Sequence, residues 1–328
     1  MFEFPRVQKL LLALSIILIY PFVDFRNDWK DWGVMMVMLG TSIYLFWQVF
    51  PFTPFASKQL LKTHITNPDR TVSLVMWNVY QYNRSCQPFL KLFAQVDSDI
   101  VLLSETDQWW KENLAPLEKT YPYFVHVPLE NTYGMLLYSK LPLSEERVEY
   151  LVEEGVPSIH SKLQLRSGEF IQLFCIHPTP PVPQENPRST ERDKELLIVA
   201  KMAKESRLPV LVCGDLNDVA WSYTTSLFQK MSGLLDPRRG RGFFNTFHAK
   251  IPFLRFPLDH VFCSIDFTLI KIARLKNSGS DHFPMYIKLQ YEPRAAIIHD
   301  EPEPSEEDKQ LAQEKLEKET REEGPTED

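Results

Sequence analysis

Residues 207–218 read RLPVLVCGDLND, and this stretch is the strongest local evidence for the fold. Four apolar residues lie between Pro209 and Gly214, a run that is too short for a helix and typical of a buried strand. Asp215 and Asn217 follow at the strand end. A carboxylate and a carboxamide on such a rigid support suit a hard cation or an attacking water. An Asx-type turn that caps the next helix explains the stretch equally well, so the interpretation depends on the rest of the chain.

The charge of the chain is concentrated near its C-terminal end. The 328 residues carry a net charge of −7, but residues 292–328 alone contain 14 acidic and 5 basic residues. The remaining residues therefore carry a net charge of +2. This part lacks the strong basic excess of a protein that binds nucleic acid mainly through charge.

Two uncharged apolar runs predict a membrane anchor in residues 1–57. Residues 10–23 have no charge over 14 positions, which is short for a membrane span, and a signal-peptide core is the alternative. Residues 32–57 have none over 26 positions and carry aromatic residues near one end, as an interfacial belt would. A buried core helix is the alternative for this second run. We predict a transmembrane hairpin, at about residues 10–23 and 33–52, in the cell (inner) membrane.

The side of the membrane that the following domain faces depends on whether both runs span. A hairpin places the N-terminus and the domain on one side, where basic residues outnumber those of the short loop between the runs. The residues compared are Arg6, Lys9, Lys58, Lys62 and Arg70 against Arg26 and Lys30. That comparison favours a cytoplasmic domain. If the first run does not span, the same rule places the domain outside.

Apolar segments predict an α/β domain over residues 71–291, after a linker at residues 58–70. The predicted strands are 71–79, 99–105, 134–139, 148–152, 159–165, 170–176, 210–213, 258–263 and 284–290, and the predicted helices are 88–96, 189–206 and 222–231. The first two strands flank a single helix, so we expect them to be parallel. Asn78 and Glu105 are then expected at the same edge of one sheet.

Residues 292–328 are predicted to lie outside this domain as an acidic tail. Ser305 and Asp308 form a capping box, and basic residues come late in the helix that follows. We expect either disorder or a helix exposed to solvent. Nothing in the sequence indicates a protein partner.

Polar side chains follow six of the predicted strands. They are Asn78, Glu105, His177, Asp215 with Asn217, Asp259, and Asp281 with His282. Any one of them is readily explained as a satisfied turn or core residue. Together they form the set of acids, amides and histidines that an oxygen-ligated divalent metal and a proton-transferring histidine require.

Five short motifs resemble, in order and spacing, the signatures of the endonuclease/exonuclease/phosphatase superfamily, which shares the DNase I-like fold. They are Trp77-Asn78-Val79, Leu103-Ser104-Glu105, Gly214-Asp215-Leu216-Asn217, Leu258-Asp259-His260 and residues 279–284, GSDHFP. The resemblance covers about residues 71–291. It implies a four-layer α/β/β/α sandwich and Mg²⁺- or Mn²⁺-dependent cleavage of a phosphate ester. Many members have Gln-Glu where this chain has Ser104-Glu105, but the acidic ligand is kept.

The resemblance implies a metal site at Glu105, with Asn78 and Asp281 close to the ion. A cation there would spread the negative charge that builds on phosphoryl oxygens during ester cleavage.

The resemblance also implies roles for five further residues. Asp259 would orient His282, because a carboxylate on one ring nitrogen fixes the tautomer and raises the pKa of the histidine. Asp215 and Asn217 would position or deprotonate the attacking water, and His177 would contact the phosphate.

A narrower resemblance concerns the segment at residues 177–181, HPTPP, combined with an N-terminal membrane segment. This combination is similar to a bacterial membrane-anchored subgroup that includes VanJ-type and YafD-like proteins. The VanJ type implies removal of phosphate from a lipid pyrophosphate. Arg188, Arg192 and Arg241 are candidates to clamp a second phosphate, or each is a surface arginine.

Three functions are compatible with the sequence. A membrane-tethered phosphatase or phosphodiesterase would act on a lipid or small phosphate ester, and the anchor would raise the local concentration of a membrane substrate. A tethered nuclease is the alternative, against which the near-neutral domain argues. An inactive scaffold of the same fold predicts a missing ligand or histidine, and none is missing from the sequence.

Overall fold

The computed structural model describes residues 3–23, 25–181 and 188–320. The described helices are α1 (Arg6–Val23), α2 (Trp29–Val49), α3 (Cys86–Val96), α4 (Gln108–Leu114), α5 (Thr190–Glu205), α6 (Tyr223–Ser232) and α7 (Glu306–Glu317). The described strands are β1 (Thr71–Asn78), β2 (Ile100–Ser104), β3 (Tyr123–Val127), β4 (Met135–Ser139), β5 (Leu143–Glu149), β6 (Ser158–Gln164), β7 (Phe170–Cys175), β8 (Val210–Asp215), β9 (Asp259–Cys263), β10 (Phe267–Arg274) and β11 (Met285–Tyr291). Most of the proline-rich loop at residues 178–187 and the end of the predicted tail lie outside these ranges.

Two mixed β-sheets form the centre of the domain. One contains six strands in the order β10-β11-β1-β2-β4-β3, and the other contains five in the order β5-β6-β7-β8-β9. Strands β1 and β2 are parallel, with Asn78 opposite Ser104, as the strand–helix–strand pattern predicts. Strands β7 and β8 are also parallel. The ends of both pairs lie at one edge of the sandwich, because Asn78 at the end of β1 contacts Asp215 at the end of β8.

The two sheets pack face to face with helices on both outer faces. Leu74 and Leu102 of the six-stranded sheet share one buried cluster with Leu173 and Leu211 of the five-stranded sheet. A second cluster packs α3 and α4 against the outer face of the six-stranded sheet, and a third packs α5 and α6 against the five-stranded sheet. This arrangement confirms the predicted four-layer α/β/β/α sandwich.

The strands that the sequence pattern misses or misplaces are edge strands. β3 and β10 are absent from the prediction, and β5 begins five residues before the predicted strand at residues 148–152. All three lie at the outer edge of a sheet and expose part of their length. Their side chains are only partly buried, so their apolar runs are weaker than those of the central strands, which are buried on both faces.

Helices α1 and α2 form a hairpin that packs against the domain at one end only. At the end away from the domain, the Tyr20 hydroxyl donates to Asp31 at 2.7 Å. At the near end, Arg6 donates to the carbonyl oxygen of Trp221, and the indole of Trp221 donates to the carbonyl oxygen of Glu3 at 2.9 Å. Segments Arg6–Val23 and Trp29–Phe52 are both long and apolar enough to cross a membrane, and most of each is exposed.

The predicted linker is not an extended tether. Leu60 is fully buried, and residue 62 pairs in parallel with Leu269 of β10. The backbone N–H of Leu61 donates to the ring of His299 at 2.9 Å. Residues 58–70 therefore belong to the packed domain, although their composition resembles that of a loop.

The prediction of a solvated or disordered tail is wrong for α7, which packs against the domain. Its Ser305 capping box is present as predicted, but Ala312 is buried in a cluster with Leu197 of α5 and Leu227 of α6. The ammonium group of Lys230 also pairs with Asp308 at 2.8 Å. The helix is docked because one stripe of its surface is apolar, a pattern that its acidic composition conceals.

Candidate active site

Asn78 and Glu105 lie side by side at the ends of β1 and β2. The amide nitrogen of Asn78 donates to Oε1 of Glu105 at 2.6 Å and to Oδ2 of Asp215 at 3.1 Å. Asp215 comes from the other sheet, so a single carboxamide joins the polar ends of both sheets. In this arrangement Asn78 spaces the two carboxylates, and its own oxygen accepts a hydrogen bond from the backbone of Tyr80.

Gly214 allows the backbone of β8 to pass close to β7. Its φ is +146°, and a Cβ atom there would lie 1.9 Å from the carbonyl oxygen of Ile176. No other residue fits, because the neighbouring atom belongs to the backbone and cannot move aside. The close approach brings Asp215 to the residues that follow β7.

The Gly-Asp-x-Asn stretch makes the turn and also faces the site. Oδ1 of Asp215 accepts a hydrogen bond from the backbone N–H of Asn217 at 3.0 Å, which is the Asx-type turn considered above. Oδ2 of Asp215 points to Asn78 and His282. The amide of Asn217 donates to the carbonyl oxygen of Pro178 at 2.9 Å and so ties the loop after β7 to this turn.

Asp259 and His282 form a buried carboxylate–histidine pair. Nδ1 of His282 lies 2.8 Å from Oδ2 of Asp259, and Nε2 lies 3.6 Å from Oδ2 of Asp215. Burial opposes protonation of the ring, but the two carboxylates outweigh it and raise the pKa of His282 to about 10. The indole of Trp77 donates to the carbonyl oxygen of His282 and fixes this segment from below.

The acidic groups of the site have opposite protonation tendencies. Burial raises the pKa of Glu105 to about 7, with further contributions from Asp281 and Asp215. Burial also opposes ionisation of Asp215, but the charges of His282 and His177 hold its pKa below the usual range. Asp215 is therefore the more readily ionised of the two carboxyl groups, because the Asn78 hydrogen bond and the charge of His282 do not offset the burial of Glu105.

Two positions in the site have strained backbones. Glu105 has a φ of 58° and Asn217 a φ of 50°, both in the left-handed region that residues other than glycine rarely occupy. Such strain persists only where the surrounding structure over-determines the conformation, and it is concentrated at functional sites.

The donor set of this pocket fits a divalent cation. Glu105 and Asp215 face each other across Asn78, and after burial the negative charges of Asp281 and Asp215 also raise the pKa of Glu105. Ligand atoms of Asp215, Asp259 and His282 also lie within 4.8 Å of one another, and the raised pKa of His282 leaves the two carboxylates as the donors of this group. An oxygen-rich, buried and electronegative pocket is what Mg²⁺ or Mn²⁺ requires, because a cation offsets the repulsion between the carboxylates.

The structure brings the eight predicted core residues to one end of the sandwich. His177 is buried, its ring lies 5.5 Å from the ring of Tyr133, and its charge acts on Asp215. Asp281 is partly buried, and its backbone oxygen accepts a hydrogen bond from Ala249. The convergence is observed, and the individual chemical roles stay predictions.

The predicted arginine clamp is not supported for two of its three members. Arg192 is only 5% exposed, and its guanidinium contacts Asp193 at 2.8 Å, Asp218 at 3.4 Å and the carbonyl oxygen of Asn217 at 3.0 Å. It supports the turn of the Gly-Asp-x-Asn stretch from behind and has no guanidinium surface left for a phosphate.

Arg241 is likewise committed to protein contacts. It donates to the carbonyl oxygens of Pro237 and Leu60 and so fastens the linker to the domain. Arg188 is exposed and directly follows residues 182–187, which are not among the residues that the structure describes. Its place in substrate binding stays a prediction.

Two residues near the site, Gln81 and Phe247, are not evident from the sequence, and His260 of the Leu258-Asp259-His260 motif lies outside the site. Gln81 is buried, and its backbone N–H lies 3.3 Å from Oε2 of Glu105. The ring of Phe247 lies 5.0 Å from the ring of His282. His260, beside Asp259 in the sequence, is buried against Arg238, and burial followed by this charge lowers its pKa to about 3. His260 is therefore a neutral packing group, and only its neighbour enters the site.

Comparisons with known proteins agree with this geometry. The model of the family described as Endonuclease/Exonuclease/phosphatase family matches residues 77–282. A UPF0294 protein of Vibrio campbellii is 24% identical over 299 residues, covering 85% of this chain and 97% of that protein.

Solved structures of the same fold have lower identity. D. rerio TDP2, complexed with a single-strand DNA product, matches with a TM-score of 0.58 and 18% identity, over 68% of this chain and 100% of that chain. The human Nocturnin catalytic domain, with a bound sulfate anion, matches with a TM-score of 0.55 and 17% identity, over 69% and 96% of the two chains. At these identities the likeness establishes the fold alone.

Proposed function

Because the chain belongs to the endonuclease/exonuclease/phosphatase family, we propose that it is a divalent-metal-dependent hydrolase of phosphate esters, held at a membrane by its N-terminal hairpin. One observation carries the proposal. Three chain segments that are far apart in sequence, from both sheets, deliver Glu105, Asp215 and His282 to a single buried pocket, linked through Asn78 and Asp259. Structural needs alone do not explain so many buried, mutually repelling acids.

The metal would be held by Glu105, with Asn78 and Asp281 close to it. A bound Mg²⁺ or Mn²⁺ supplies positive charge that stabilises developing negative charge on phosphoryl oxygens. Glu105 must be ionised to bind it, and the cation itself favours that ionised form.

The residues of the chain supply the remaining tasks. Asp215 is held ionised by His282 and His177, so it is suited to accept a hydrogen bond from an attacking water and to orient it, with Asn217 beside it. His282 is held as an imidazolium, with Nδ1 on Asp259 and Nε2 facing the pocket. A fixed positive donor there would stabilise the phosphoryl oxygens as their charge increases.

The hairpin of α1 and α2 is proposed to anchor the enzyme in the cell (inner) membrane. Both helices are mostly exposed, which is unfavourable for apolar segments of this length in water. An anchored enzyme reaches membrane-bound substrates at a high effective concentration, so a lipid phosphate or pyrophosphate is a suitable substrate class.

The test uses the full chain purified in detergent. Hydrolysis of bis-p-nitrophenyl phosphate, p-nitrophenyl phosphate, a polyprenyl pyrophosphate and plasmid DNA would be measured with Mg²⁺ or Mn²⁺ and with EDTA. We expect metal-dependent release of phosphate or nitrophenol. Nicked plasmid with every other substrate untouched would instead identify a tethered nuclease, and no turnover at all would contradict the proposal.

The site assignment is tested by three substitutions that remove charge or proton transfer, of which the two carboxyl-to-amide changes keep the side-chain volume and the third deletes the buried imidazole. Glu105→Gln, Asp215→Asn and His282→Ala are each expected to lower turnover by about 10²–10⁴-fold. The matched controls Glu112→Gln, Asp69→Asn and His64→Ala are exposed and lie outside the site, so they should retain activity. Near-normal turnover in all three site variants would show that the assignment is wrong.

A further inference from the structure

The segment between α6 and β9 exposes a cluster of large apolar side chains. Ile251 is 42% exposed, Phe253 is 85% exposed and Leu254 is 48% exposed, and the short 3-10 turn Pro252–Leu254 holds them together. Single exposed apolar residues are common, but three within four positions on one turn indicate a surface that contacts another apolar phase.

This turn lies against the membrane hairpin at the level where the hairpin leaves the domain. The side-chain amide of Gln8 in α1 donates to the carbonyl oxygen of Phe253 at 3.0 Å. Gln8 is two residues before the uncharged run that starts at Leu10, and the exposed Trp47 lies near the corresponding end of α2. Tryptophan at the end of a span marks the membrane–water interface. The turn is therefore placed at the interface by the hairpin beside it.

Basic residues flank the apolar turn. Lys250 lies with its ammonium group 5.6 Å from the centre of the Tyr80 ring, and the guanidinium groups of Arg255 and Arg274 lie 5.1 Å and 4.3 Å from the ring of Phe283. Within the described part of the chain, none of these three cations forms a salt bridge with a carboxylate. Cations next to an apolar tip complement the anionic head groups that surround inserted side chains.

The same segment is bonded to the catalytic histidine. Phe247 pairs through its backbone with His282 and also contacts the imidazole with its ring, at 5.0 Å. The backbone N–H of Ala249 donates to the carbonyl oxygen of Asp281 at 2.6 Å. The exposed turn and the active site are therefore parts of one hydrogen-bonded segment.

We propose that residues 250–255 are a membrane-contact loop, which inserts Ile251, Phe253 and Leu254 into the bilayer surface and presents lipid-borne phosphate esters to His282. The inference rests on the proposed function and narrows its substrate class to phosphate-bearing lipids within the membrane. The hairpin holds the enzyme at the bilayer, and the loop sets the orientation of the active site towards the head groups.

The position of the loop is tested by a fluorescent label that reports contact with lipid. The full chain, carrying Cys86→Ser, is labelled at Phe253→Cys, at Leu18→Cys in the hairpin or at Phe170→Cys on a distant strand. The proteins are then reconstituted in phosphatidylcholine–phosphatidylglycerol vesicles that contain a spin-labelled quencher lipid. We expect quenching at positions 18 and 253 but not at 170. Quenching of the label at position 18 but not at position 253 would overturn the loop proposal. No quenching at position 18 would overturn both the loop proposal and the membrane anchor.

The functional consequence is tested by the double substitution Phe253→Ser and Leu254→Ser. Turnover of phosphatidic acid, phosphatidylglycerol and a polyprenyl pyrophosphate in vesicles is compared with turnover of soluble bis-p-nitrophenyl phosphate. We expect turnover of the best lipid substrate to fall at least about tenfold, because burial of one phenylalanine side chain in an apolar phase favours binding by about that factor. Turnover of the soluble ester should not change.

The outcomes of this experiment separate the loop proposal from the proposed function. Equal losses on both substrates, an unchanged lipid rate, or a wild-type enzyme that cleaves the soluble ester but no lipid would each overturn the loop proposal and leave the hydrolase intact. A wild-type enzyme that cleaves neither would overturn the hydrolase itself. The exposed pair Tyr123→Ser and Phe124→Ser, on the edge strand β3, is the matched control and should change neither rate.

Discussion

At the scale of single residues, Gly214 determines whether the two halves of the site can meet. The position combines a φ that favours glycine with backbone contact to Ile176, so two independent penalties fall on any side chain. Asp215 follows immediately, and its orientation depends on that close approach. Catalytic geometry and fold stability are therefore coupled at this residue.

Gly214→Ala is expected to lower the free energy of unfolding by more than about 3 kcal/mol, because backbone strain adds to a clash that cannot relax. Gly168→Ala is the control, since its φ is +93° but no atom lies within 4 Å of the added Cβ. It should cost only about 1 kcal/mol. Chemical denaturation in detergent measures both values, and equal losses would contradict the steric explanation.

Glu195 in α5 is expected to make stability depend on pH. It is fully buried, Oε1 has no hydrogen-bond partner in the described structure, and burial followed by the charge of Glu153 raises its pKa to about 8. A carboxyl whose pKa is raised in the folded state stabilises the fold below its unfolded pKa. That stability is lost as the pH rises through the folded value, up to about 1.4 kcal/mol per pH unit.

Glu195→Gln should therefore be more stable than the wild type at about pH 9 and show little advantage at about pH 5. Glu112→Gln, at an exposed position, controls for the loss of a carboxylate. Denaturant midpoints at the two pH values provide the measurement. The same stability gap at both values would exclude an effect of Glu195 ionisation.

At the scale of elements, α7 connects the C-terminal region to the active-site turn. Lys315 of α7 pairs with Asp193 at 2.5 Å, Asp193 pairs with Arg192, and Arg192 donates to the carbonyl oxygen of Asn217. The apolar stripe of the helix fills a groove between α5 and α6. An acidic segment whose composition is typical of a disordered tail therefore contacts the residues that hold the active-site turn.

Ala312→Gln is expected to lower the free energy of unfolding by about 1–3 kcal/mol, because it places an amide without partners in that groove. Glu314→Gln introduces the same side chain on the exposed face of α7 and should stay within about 0.5 kcal/mol of the wild type. Thermal unfolding of both variants checks the docking of the helix. Equal stability of the two variants would mean that α7 is not packed in solution.

At the scale of the whole molecule, the hairpin, the linker and α7 are all packed on the α/β domain. The contact of the hairpin includes Phe4, Val7 and Phe52, against Trp221 and Phe256 of the domain. Removing it would expose this apolar cluster beside the site. The proposed anchor is therefore expected to orient the α/β domain as well as to tether it.

A fragment of residues 58–291 should unfold at least about 4 °C below a chain of residues 1–320 in the same detergent, since 1 kcal/mol corresponds to roughly 2–4 °C for a domain of this size. A fragment of residues 58–320 retains α7 and should lie between the two. Differential scanning calorimetry gives the three midpoints. If all three coincide, neither the hairpin nor α7 contributes to the stability of the domain.

The central strands, the fold class and the polar residues at the strand ends can be predicted from the sequence. Those features are local, because a strand buried on both faces requires an uninterrupted apolar run, and the polar residue that ends the run is visible beside it. The edge strands β3 and β10 were missed and β5 was misplaced, because half-exposed strands tolerate mixed composition.

The use of these residues depends on contacts that form only when the chain folds. Arg192 and Arg241 carry the positive charge that binds phosphate. Their guanidinium groups are nevertheless occupied by residues remote in sequence, Asp218 for Arg192 and Leu60 for Arg241. The docking of α7 and the position of Phe253 beside Gln8 likewise depend on which surfaces meet. Side-chain chemistry is a property of the residue, whereas availability for a ligand depends on neighbours that the chain brings together only on folding.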